Sequence, residues 1–174
     1  MNTELGLRER KKQQTRRAIA DAALRLFLER GFEQVSVAEV AQAADVSEQT
    51  VFNYFPTKED LVYERMDTFE HELLAAVRER PEGETPLRAF ARFILDRSDT
   101  AMASDGRRRV ADLTRLVSAS PSLLARERQV VAKYTDALAA LLAEETGAAP
   151  DDIEPRIAAE AMMAFHRSLI DFAR

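Results

Sequence analysis

A short polar surface is predicted within Ser47–Tyr54, where four side chains offer both hydrogen-bond donors and acceptors. They are Glu48, Gln49, Thr50 and Asn53. Helical spacing places them on the outside of one helix, because Val51 and Phe55 form its apolar inner side. Amide, hydroxyl and carboxylate groups match the donors and acceptors that base edges present in the DNA major groove. The pattern therefore indicates a base-reading helix; the plainer interpretation is a helical hairpin with a polar outer face.

Three helix starts follow one another around this surface. Ser36 and Glu39 have the spacing of a capping box, in which each side chain satisfies a backbone N–H in the first turn. Ser47 is the predicted N-cap of the second helix, and Pro56 ends that helix, because the residue before a proline disfavours helical backbone. Thr57 is predicted to cap a third helix. Two short helices joined by three or four residues form a helix-turn-helix.

The segment from about Thr15 to Leu61 carries a longer pattern that fixes three helices and two turns together. Its residues are Thr15, Ile19, Ala23, Leu26, Phe27, Gly31, Phe32, Val35, Ser36, Val37, Val40, Ala41, Ala44, Val46, Ser47, Thr50, Val51, Phe52, Tyr54, Phe55, Lys58, Glu59 and Leu61. This pattern resembles the N-terminal DNA-binding domain of the TetR family of bacterial transcriptional regulators. Two positions depart from it. Asp45 replaces a frequent turn glycine, although aspartate tolerates left-handed backbone, and Phe52 replaces a frequent tyrosine and lacks its hydroxyl.

The resemblance implies roles for the exposed residues. Gln49, Thr50 and Asn53 would reach base edges or nearby phosphates, while Tyr54 and Lys58 would hold phosphate. Glu48 has two open readings, an acceptor for a cytosine amino group or a solvated charge at the helix start. Ser36 would donate to phosphate as well as cap its helix. The full predicted DNA-binding set is Arg8, Arg10, Lys11, Lys12, Arg16, Ser36, Val37, Ser47, Glu48, Gln49, Thr50, Phe52, Asn53, Tyr54 and Lys58.

Charge is distributed unevenly along the chain. The first 20 residues contain six basic and two acidic side chains, a net charge of +4, whereas the whole chain has −5 and the remainder therefore −9. A basic N-terminal segment on an acidic body would attract DNA to one end of the molecule. A solvated tail is the alternative, but the position directly before a helix-turn-helix favours phosphate contacts.

Composition limits the other possibilities. The 174 residues include no cysteine and only five glycines, which excludes a disulfide scaffold and a thiolate metal site and favours an all-α fold. No apolar run reaches the roughly 18 residues of a membrane span, and the N-terminus lacks the apolar segment of a signal peptide. We therefore expect a cytoplasmic protein without a metal or other cofactor.

Three regions are predicted: a basic segment and DNA-binding head over 1–56, a connecting helix over 57–80, and a helical ligand-binding and dimerisation bundle over 81–174. Residues 1–7 are expected to be disordered. The connecting helix Thr57–Arg80 would span roughly 35 Å. Eight helices are expected, with a turn at Ser104–Gly106 and a sixth helix over Arg107–Ser118. The last helix would bury Ile153, Ile157, Ala161, Met162, Phe165, Leu169 and Phe172. Its pattern continues to Arg174, whereas the family has one further helix, so we expect an incomplete C-terminal region and dimer surface.

The bundle resembles the family's ligand-binding domain only in its helix layout. Methionine and phenylalanine suit an adaptable apolar cavity, although each residue has an ordinary core position as its plainer explanation. Tyr134 and His166 would supply polar groups. The candidate ligand-binding residues are Phe90, Phe93, Met102, Leu113, Leu116, Tyr134, Met162, Phe165 and His166.

The resulting prediction is a ligand-responsive transcriptional regulator, a repressor that binds a palindromic DNA operator as a homodimer. A small apolar or amphipathic ligand would tilt the connecting helix and release the DNA. A DNA-free helical adaptor that dimerises through Met162–Phe172 is the first alternative. A helical-bundle enzyme is the second, with little support: Ala75 stands four positions after His71, so no zinc-binding helix motif is present.

Overall fold

The computed structural model describes residues 6–64, 66–102, 104–149 and 151–172, and within these ranges it contains eight α-helices and no strand. The helices are α1 Leu7–Arg30, α2 Val37–Ala43, α3 Glu48–Tyr54, α4 Met66–Arg78, α5 Pro86–Met102, α6 Ser104–Ser118, α7 Pro121–Thr146 and α8 Glu154–Phe172. One 3-10 turn, Glu59–Leu61, lies between α3 and α4. The predicted all-α fold is confirmed. Residues 1–5 lie outside the described ranges, and the start of α1 at Leu7 is earlier than expected.

Local capping forms the helices of the head as predicted. The Ser36 hydroxyl oxygen accepts from the Glu39 N–H at 3.2 Å, and Glu39 Oε2 accepts from the Ser36 N–H at 2.8 Å. The Ser47 hydroxyl oxygen accepts from the Thr50 N–H at 3.1 Å at the start of α3. Between the two helices, Asp45 has a φ of 54°, which is the left-handed conformation that its position in the turn requires.

The hydrophobic core of the head includes residues from outside the head. Leu116 and Val117 of α6 and Leu123 of α7 are buried together with the apolar sides of α1, α2 and α3. The head members of this core are Ile19, Ala20, Ala23, Phe27, Phe32, Val35, Val40, Ala41, Val51 and Phe55, and Leu61 and Tyr63 join it from the connecting segment. The ends of α6 and α7 therefore fix the orientation of the head.

A second core lies between α4, α5, α7 and α8. Its buried members are Leu73, Val77, Phe90, Ile94, Tyr134, Leu138, Leu141, Leu142, Ala159, Met162 and Met163. Ser120 caps α7 ahead of Pro121, and Gly147 ends it in left-handed backbone. None of the described helices combines the length and apolar character needed to cross a bilayer.

The predicted continuous helix Thr57–Arg80 is wrong. Thr57 and Asp60 cap each other, with the Thr57 N–H 3.0 Å from Asp60 Oδ2, but only the 3-10 turn follows. Leu61 and Tyr63 are drawn into the head core, and the Tyr63 hydroxyl donates to the Leu123 carbonyl oxygen at 2.9 Å. The α-helix begins at Met66 and has 13 residues, which corresponds to about 20 Å.

Two predictions in the bundle are also wrong. Ser104–Gly106 belongs to α6, since serine and aspartate suit the first turn of a helix as well as a loop. Ile153, just before α8, and Ile157 and Phe165 within it are 65%, 57% and 40% exposed, whereas the buried apolar side of α8 carries Ala159, Met162 and Met163. The Phe172 side chain lies outside the described part of the chain. This helix has apolar residues on two sides, so periodicity could not show which side faces α5 and α7.

Candidate nucleic-acid interface

Helix α3 presents a polar outer side. Glu48, Gln49 and Asn53 are exposed, and Val51 is buried beneath them. Gln49 Nε2 donates to Asn53 Oδ1 at 3.2 Å, one helical turn away. Thr50 is half-buried, with its hydroxyl 2.8 Å from that of Ser47. Of the predicted base-reading residues, Gln49 and Asn53 thus lie on the surface, whereas Thr50 is partly buried and its hydroxyl bonds to Ser47.

A groove with a cationic lining runs beside the C-terminal end of α3. Its volume is about 650 Å³, and it is lined by Arg8, Glu9, Lys11, Lys12, Thr15 and Tyr54. Four residues that the sequence assigned to phosphate contacts therefore meet at one place. Three cations and one carboxylate around this groove suit a phosphate backbone better than a neutral ligand. Arg10 lies at a separate pocket of about 430 Å³ on another side of α1, with Gln13, Gln14, Arg17, Ala18 and Asp21.

Arg16 connects α1 to the end of α3. Its Nη1 donates to the Tyr54 carbonyl oxygen at 3.0 Å, and its guanidinium carbon lies 4.6 Å from the centre of the Phe55 ring. Its Nε is 3.7 Å from Glu64 Oε1. A cation at the C-terminal end of a helix interacts favourably with the exposed carbonyl groups there. In the described structure Arg16 therefore positions α3, and a DNA contact from it stays a prediction.

Lys58 has a comparable place. Its Nζ donates to the Phe32 carbonyl oxygen at 2.6 Å and lies 4.2 Å from the centre of the Phe32 ring. The Lys58 ammonium group thus contacts the segment that connects α1 to α2. Sequence position alone indicated a phosphate contact for Lys58, and that contact stays a prediction. The observed contact joins two residues that are 26 positions apart in the chain, so it depends on the tertiary fold.

The start of α2 carries a further ion pair that the sequence analysis missed. Arg30 Nη1 lies 2.7 Å from Glu39 Oε1, on the same carboxylate that completes the capping box. The Ser36 backbone N–H, followed by the Arg30 guanidinium, lowers the pKa of Glu39 to about 2. Ser36 also donates its hydroxyl hydrogen to Glu39 Oε2 at 2.9 Å, and Val37 is half-buried next to it. Arg30 and Glu39 are nine positions apart, a separation that gave no signal in the sequence.

Comparison with known proteins agrees with this arrangement. The family model described as "Bacterial regulatory proteins, tetR family" matches residues 19–64, and the model of the MftR C-terminal domain matches residues 85–173, about half of the chain. The transcriptional regulator TcmR of Streptomyces glaucescens is 34% identical over 157 residues, which cover 87% of this chain and 69% of TcmR. This chain belongs to the TetR family. It is thus a DNA-binding transcriptional regulator.

Other TetR-family proteins show the same similarity in sequence and fold. The transcriptional repressor KstR of Rhodococcus jostii is 30% identical over 141 residues, 81% of this chain and 65% of KstR. The crystal structure of NalD, the secondary repressor of the MexAB-OprM multidrug efflux pump in Pseudomonas aeruginosa, superposes with a TM-score of 0.61 at 27% identity. That match covers 93% of this chain and 86% of NalD.

The predicted ligand-binding residues do not form one group in this TetR-family chain. Phe90, Phe93, Tyr134 and Met162 belong to the second core, whereas Leu113 and Leu116 pack in the head core. Phe165 points outward at 40% exposure. The Met102 side chain lies outside the described part of the chain. The distribution of these residues between two cores depends on the packing of α6 on α1, which the sequence did not show.

An aromatic group in the second core joins four helices. The Phe69 ring of α4 lies 5.6 Å from Phe93, 5.6 Å from Tyr134 and 5.3 Å from His166, with the imidazole stacked on it. The Arg97 guanidinium lies 5.3 Å above Phe69 and pairs with Glu72. Burial and the Arg97 charge lower the pKa of His166. Phe69 and Arg97 are not among the candidate ligand-binding residues chosen from the sequence, because the spacing of Phe69 fits the ordinary buried apolar side of a helix.

No metal site is apparent in the parts of the chain that the structure describes, since no three His, Asp or Glu side chains there are grouped to hold an ion.

Proposed function

We propose that this TetR-family regulator is a repressor that binds a palindromic operator as a homodimer and is released by a small apolar or amphipathic ligand. The observation that carries the DNA-binding part is the exposed polar side of α3 next to the groove lined by Arg8, Lys11, Lys12 and Tyr54. The helix would enter the major groove while these cations hold the flanking phosphates. Repression is supported by the similarity to KstR and NalD, both of which are named as repressors.

The homodimer is supported by the outward side of α8. Ile157 and Phe165 of this helix, and Ile153 directly before it, are exposed large apolar residues whose spacing puts them on one side. A second copy packed against this side would remove them from water, and two-fold symmetry would present two α3 helices to the two halves of a palindrome.

The ligand would bind in the second core, between α4, α5, α7 and α8. The aromatic group around Phe69 is the candidate site, since its rings come from all four of these helices and the Arg97–Glu72 ion pair adds polar groups. We retain three regions, a head over 1–56, a connection over 57–80 and a body over 81–174. The body completes the core of the head through Leu116, Val117 and Leu123.

Coupling between ligand binding and DNA binding would use the contacts between head and body. Helix α4 has only 13 residues and begins after the 3-10 turn, so no continuous helix connects the head to the ligand site. Tyr63 and Asp60 bind the start of α7, the latter through Arg126 at 2.7 Å. Ser120 at the same helix start donates to Glu33 Oε1 at 2.7 Å. A ligand can shift the head only by its difference in affinity for the two arrangements, and 1–3 kcal/mol would change DNA affinity about 5–150-fold.

The test begins with duplexes that the wild-type protein enriches from a randomised library. Wild type should bind an enriched duplex with an affinity that falls steeply with salt. The double variant Gln49→Ala, Asn53→Ala should lose the preference for that duplex and retain weak, salt-sensitive binding. The double variant Arg108→Ala, Arg109→Ala, which removes two exposed cations from α6, should keep the preference.

A failure of the wild-type protein to enrich any duplex would contradict the proposal and favour the DNA-free adaptor. We propose further that the protein acts by binding alone and catalyses no reaction, which is supported by the names of its relatives as transcriptional regulators.

A further inference from the structure

Phe52 is an unusual component of the polar surface of α3. Its side chain is 43% exposed, and it lies between the exposed residues Glu48 and Asn53 around the helix. At 100° per residue, Glu48, Phe52, Gln49 and Asn53 follow one another over an arc of about 140°. Val51 is on the opposite side, in the head core. The ring is therefore part of the surface that the helix offers to DNA.

The chemistry of this ring restricts what it can contact. A phenylalanine has no hydrogen-bonding group, so it gains free energy chiefly by removing apolar surface from water. Among the base edges of the major groove, thymine alone carries an apolar group, the C5 methyl, and phenylalanine is one of the side chains that contact it. Over guanine or adenine the same ring would cover polar atoms without replacing their hydrogen bonds with water.

The neighbouring amides favour the same base pairs. Gln49 Nε2 donates to Asn53 Oδ1, so the two amides form one unit that still has Gln49 Oε1 as an acceptor and Asn53 Nδ2 as a donor. Asparagine and glutamine characteristically pair with adenine N6 and N7. Adenine beside the amides and thymine beside the ring would place A·T pairs under α3.

We infer that Phe52 is a specificity-determining residue of this regulator, which contacts a thymine C5 methyl in each half of the operator. The inference rests on the proposed DNA-binding function and names the base that the surface of α3 selects. The family frequently has a tyrosine at this position. Because Phe52 lacks the tyrosine hydroxyl, its contact with the methyl group would depend only on shape and apolar area.

Deoxyuridine tests the contact, because it pairs as thymine does but lacks the C5 methyl. Each thymine of an enriched duplex is replaced in turn, symmetrically in both half-sites, and dissociation constants are measured at fixed salt. For wild type, one replacement should weaken binding about fourfold per half-site, the factor that about 0.8 kcal/mol for one buried carbon produces. Two half-sites give about fifteenfold.

The variants assign this effect to the ring. Phe52→Ala should bind the thymine duplex more weakly than wild type and should not distinguish it from the deoxyuridine duplex. Phe52→Tyr should keep the discrimination, and the matched control Gln49→Ala should keep it at the same thymine while losing affinity through another base. Circular dichroism shows whether each variant is folded.

The inference is overturned if wild type is insensitive to deoxyuridine at every thymine, or if Phe52→Ala remains as sensitive as wild type. Either result leaves the proposed function intact, since both require an enriched duplex that wild type binds. A protein that enriches no duplex would instead contradict the proposed function, and the inference with it.

Discussion

Two lysines of the DNA-binding region, Lys12 and Lys58, have different roles in the structure. Lys12 lines the groove beside Tyr54, exposed to solvent, whereas the Lys58 ammonium is 2.6 Å from the Phe32 carbonyl oxygen. A charged donor held on a backbone carbonyl stabilises the fold more than an exposed cation does. The contact geometry therefore separates two lysines that sequence position placed in one functional class.

This difference predicts the behaviour of a matched pair of variants. Lys58→Met should lower the free energy of unfolding by about 1–3 kcal/mol, because it leaves the Phe32 carbonyl without its charged donor. Lys12→Met should leave the unfolding free energy within about 0.5 kcal/mol of wild type and reduce the salt dependence of DNA affinity by about one counterion. Urea denaturation and salt titrations measure the two quantities. Equal stability of both variants would show that Lys58 has no structural role.

At the scale of the element, the start of α2 combines a capping box with an ion pair to α1. The Ser36 N–H and the Arg30 guanidinium hold the pKa of Glu39 at about 2, below its ordinary 4.5. A carboxylate with a depressed pKa in the folded state contributes stability above the unfolded pKa, and loses it as pH falls through the folded value. The start of α2 should therefore be sensitive to acid.

The acid sensitivity can be measured against Glu39→Gln. Wild type should be the more stable protein at pH 7, and the difference in unfolding midpoint should shrink as the pH falls from about 4.5 to about 2. Glu29→Gln, at an exposed position of α1, serves as the control for removal of one carboxylate. A difference between wild type and Glu39→Gln that stayed constant from pH 7 to pH 2 would exclude this contribution of the ionised carboxylate.

The segment between α3 and α4 illustrates how tertiary contacts interrupt a helix. Tyr63 is buried, and its hydroxyl donates to the Leu123 carbonyl oxygen at 2.9 Å; burial, followed by the nearby Glu127 charge, raises its pKa. The chain consequently turns into the head core instead of continuing to α4. The 3-10 turn is thus part of the joint between head and body.

Tyr63→Phe isolates the hydrogen bond of this joint. It should lower the unfolding free energy by about 1 kcal/mol, the net contribution of one hydrogen bond. Tyr54→Phe, whose hydroxyl lies at the surface groove, should leave stability nearly unchanged. Urea denaturation of wild type and the two variants measures these free energies. Equal stability of Tyr63→Phe and wild type would show that the hydrogen bond to Leu123 does not stabilise the contact between head and body.

At the scale of the whole molecule, two cores share the helices of the body. The ends of α6 and α7 complete the head core, and the remainder of α7 packs with α4, α5 and α8. A change in the second core can therefore reach the head along α7. The outer side of α8 is the surface that the proposed dimer would use.

Ile157→Glu tests the proposed dimer. Because Ile157 is 57% exposed, the change should leave the fold intact while placing a charge in the apolar contact. Light scattering should show a monomer, and affinity for an enriched duplex should fall at least tenfold through loss of the second half-site. Leu87→Glu, at a 55% exposed position of α5, should remain dimeric. Dimeric Ile157→Glu would place the contact elsewhere.

The sequence by itself determined those features that depend on neighbouring residues. Capping by Ser36, Ser47 and Ser120, the left-handed backbone of Asp45 and the buried side of α3 all follow from interactions within a few positions. The exposed amides on α3 follow from the same periodicity. For this reason the helix-turn-helix and the exposed polar side of α3 were predictable from residue order alone.

Only the tertiary structure decided which partners distant residues acquire. Lys58 and Phe32, Tyr63 and Leu123, and the two apolar sides of α8 depend on how separate helices pack, and periodicity carries no information about that. Local patterns predicted a long connecting helix because nothing within one turn of Tyr63 opposes it. The buried hydroxyl bond to α7 ended that helix, since its hydrogen-bonding partner lies 60 positions away in the chain.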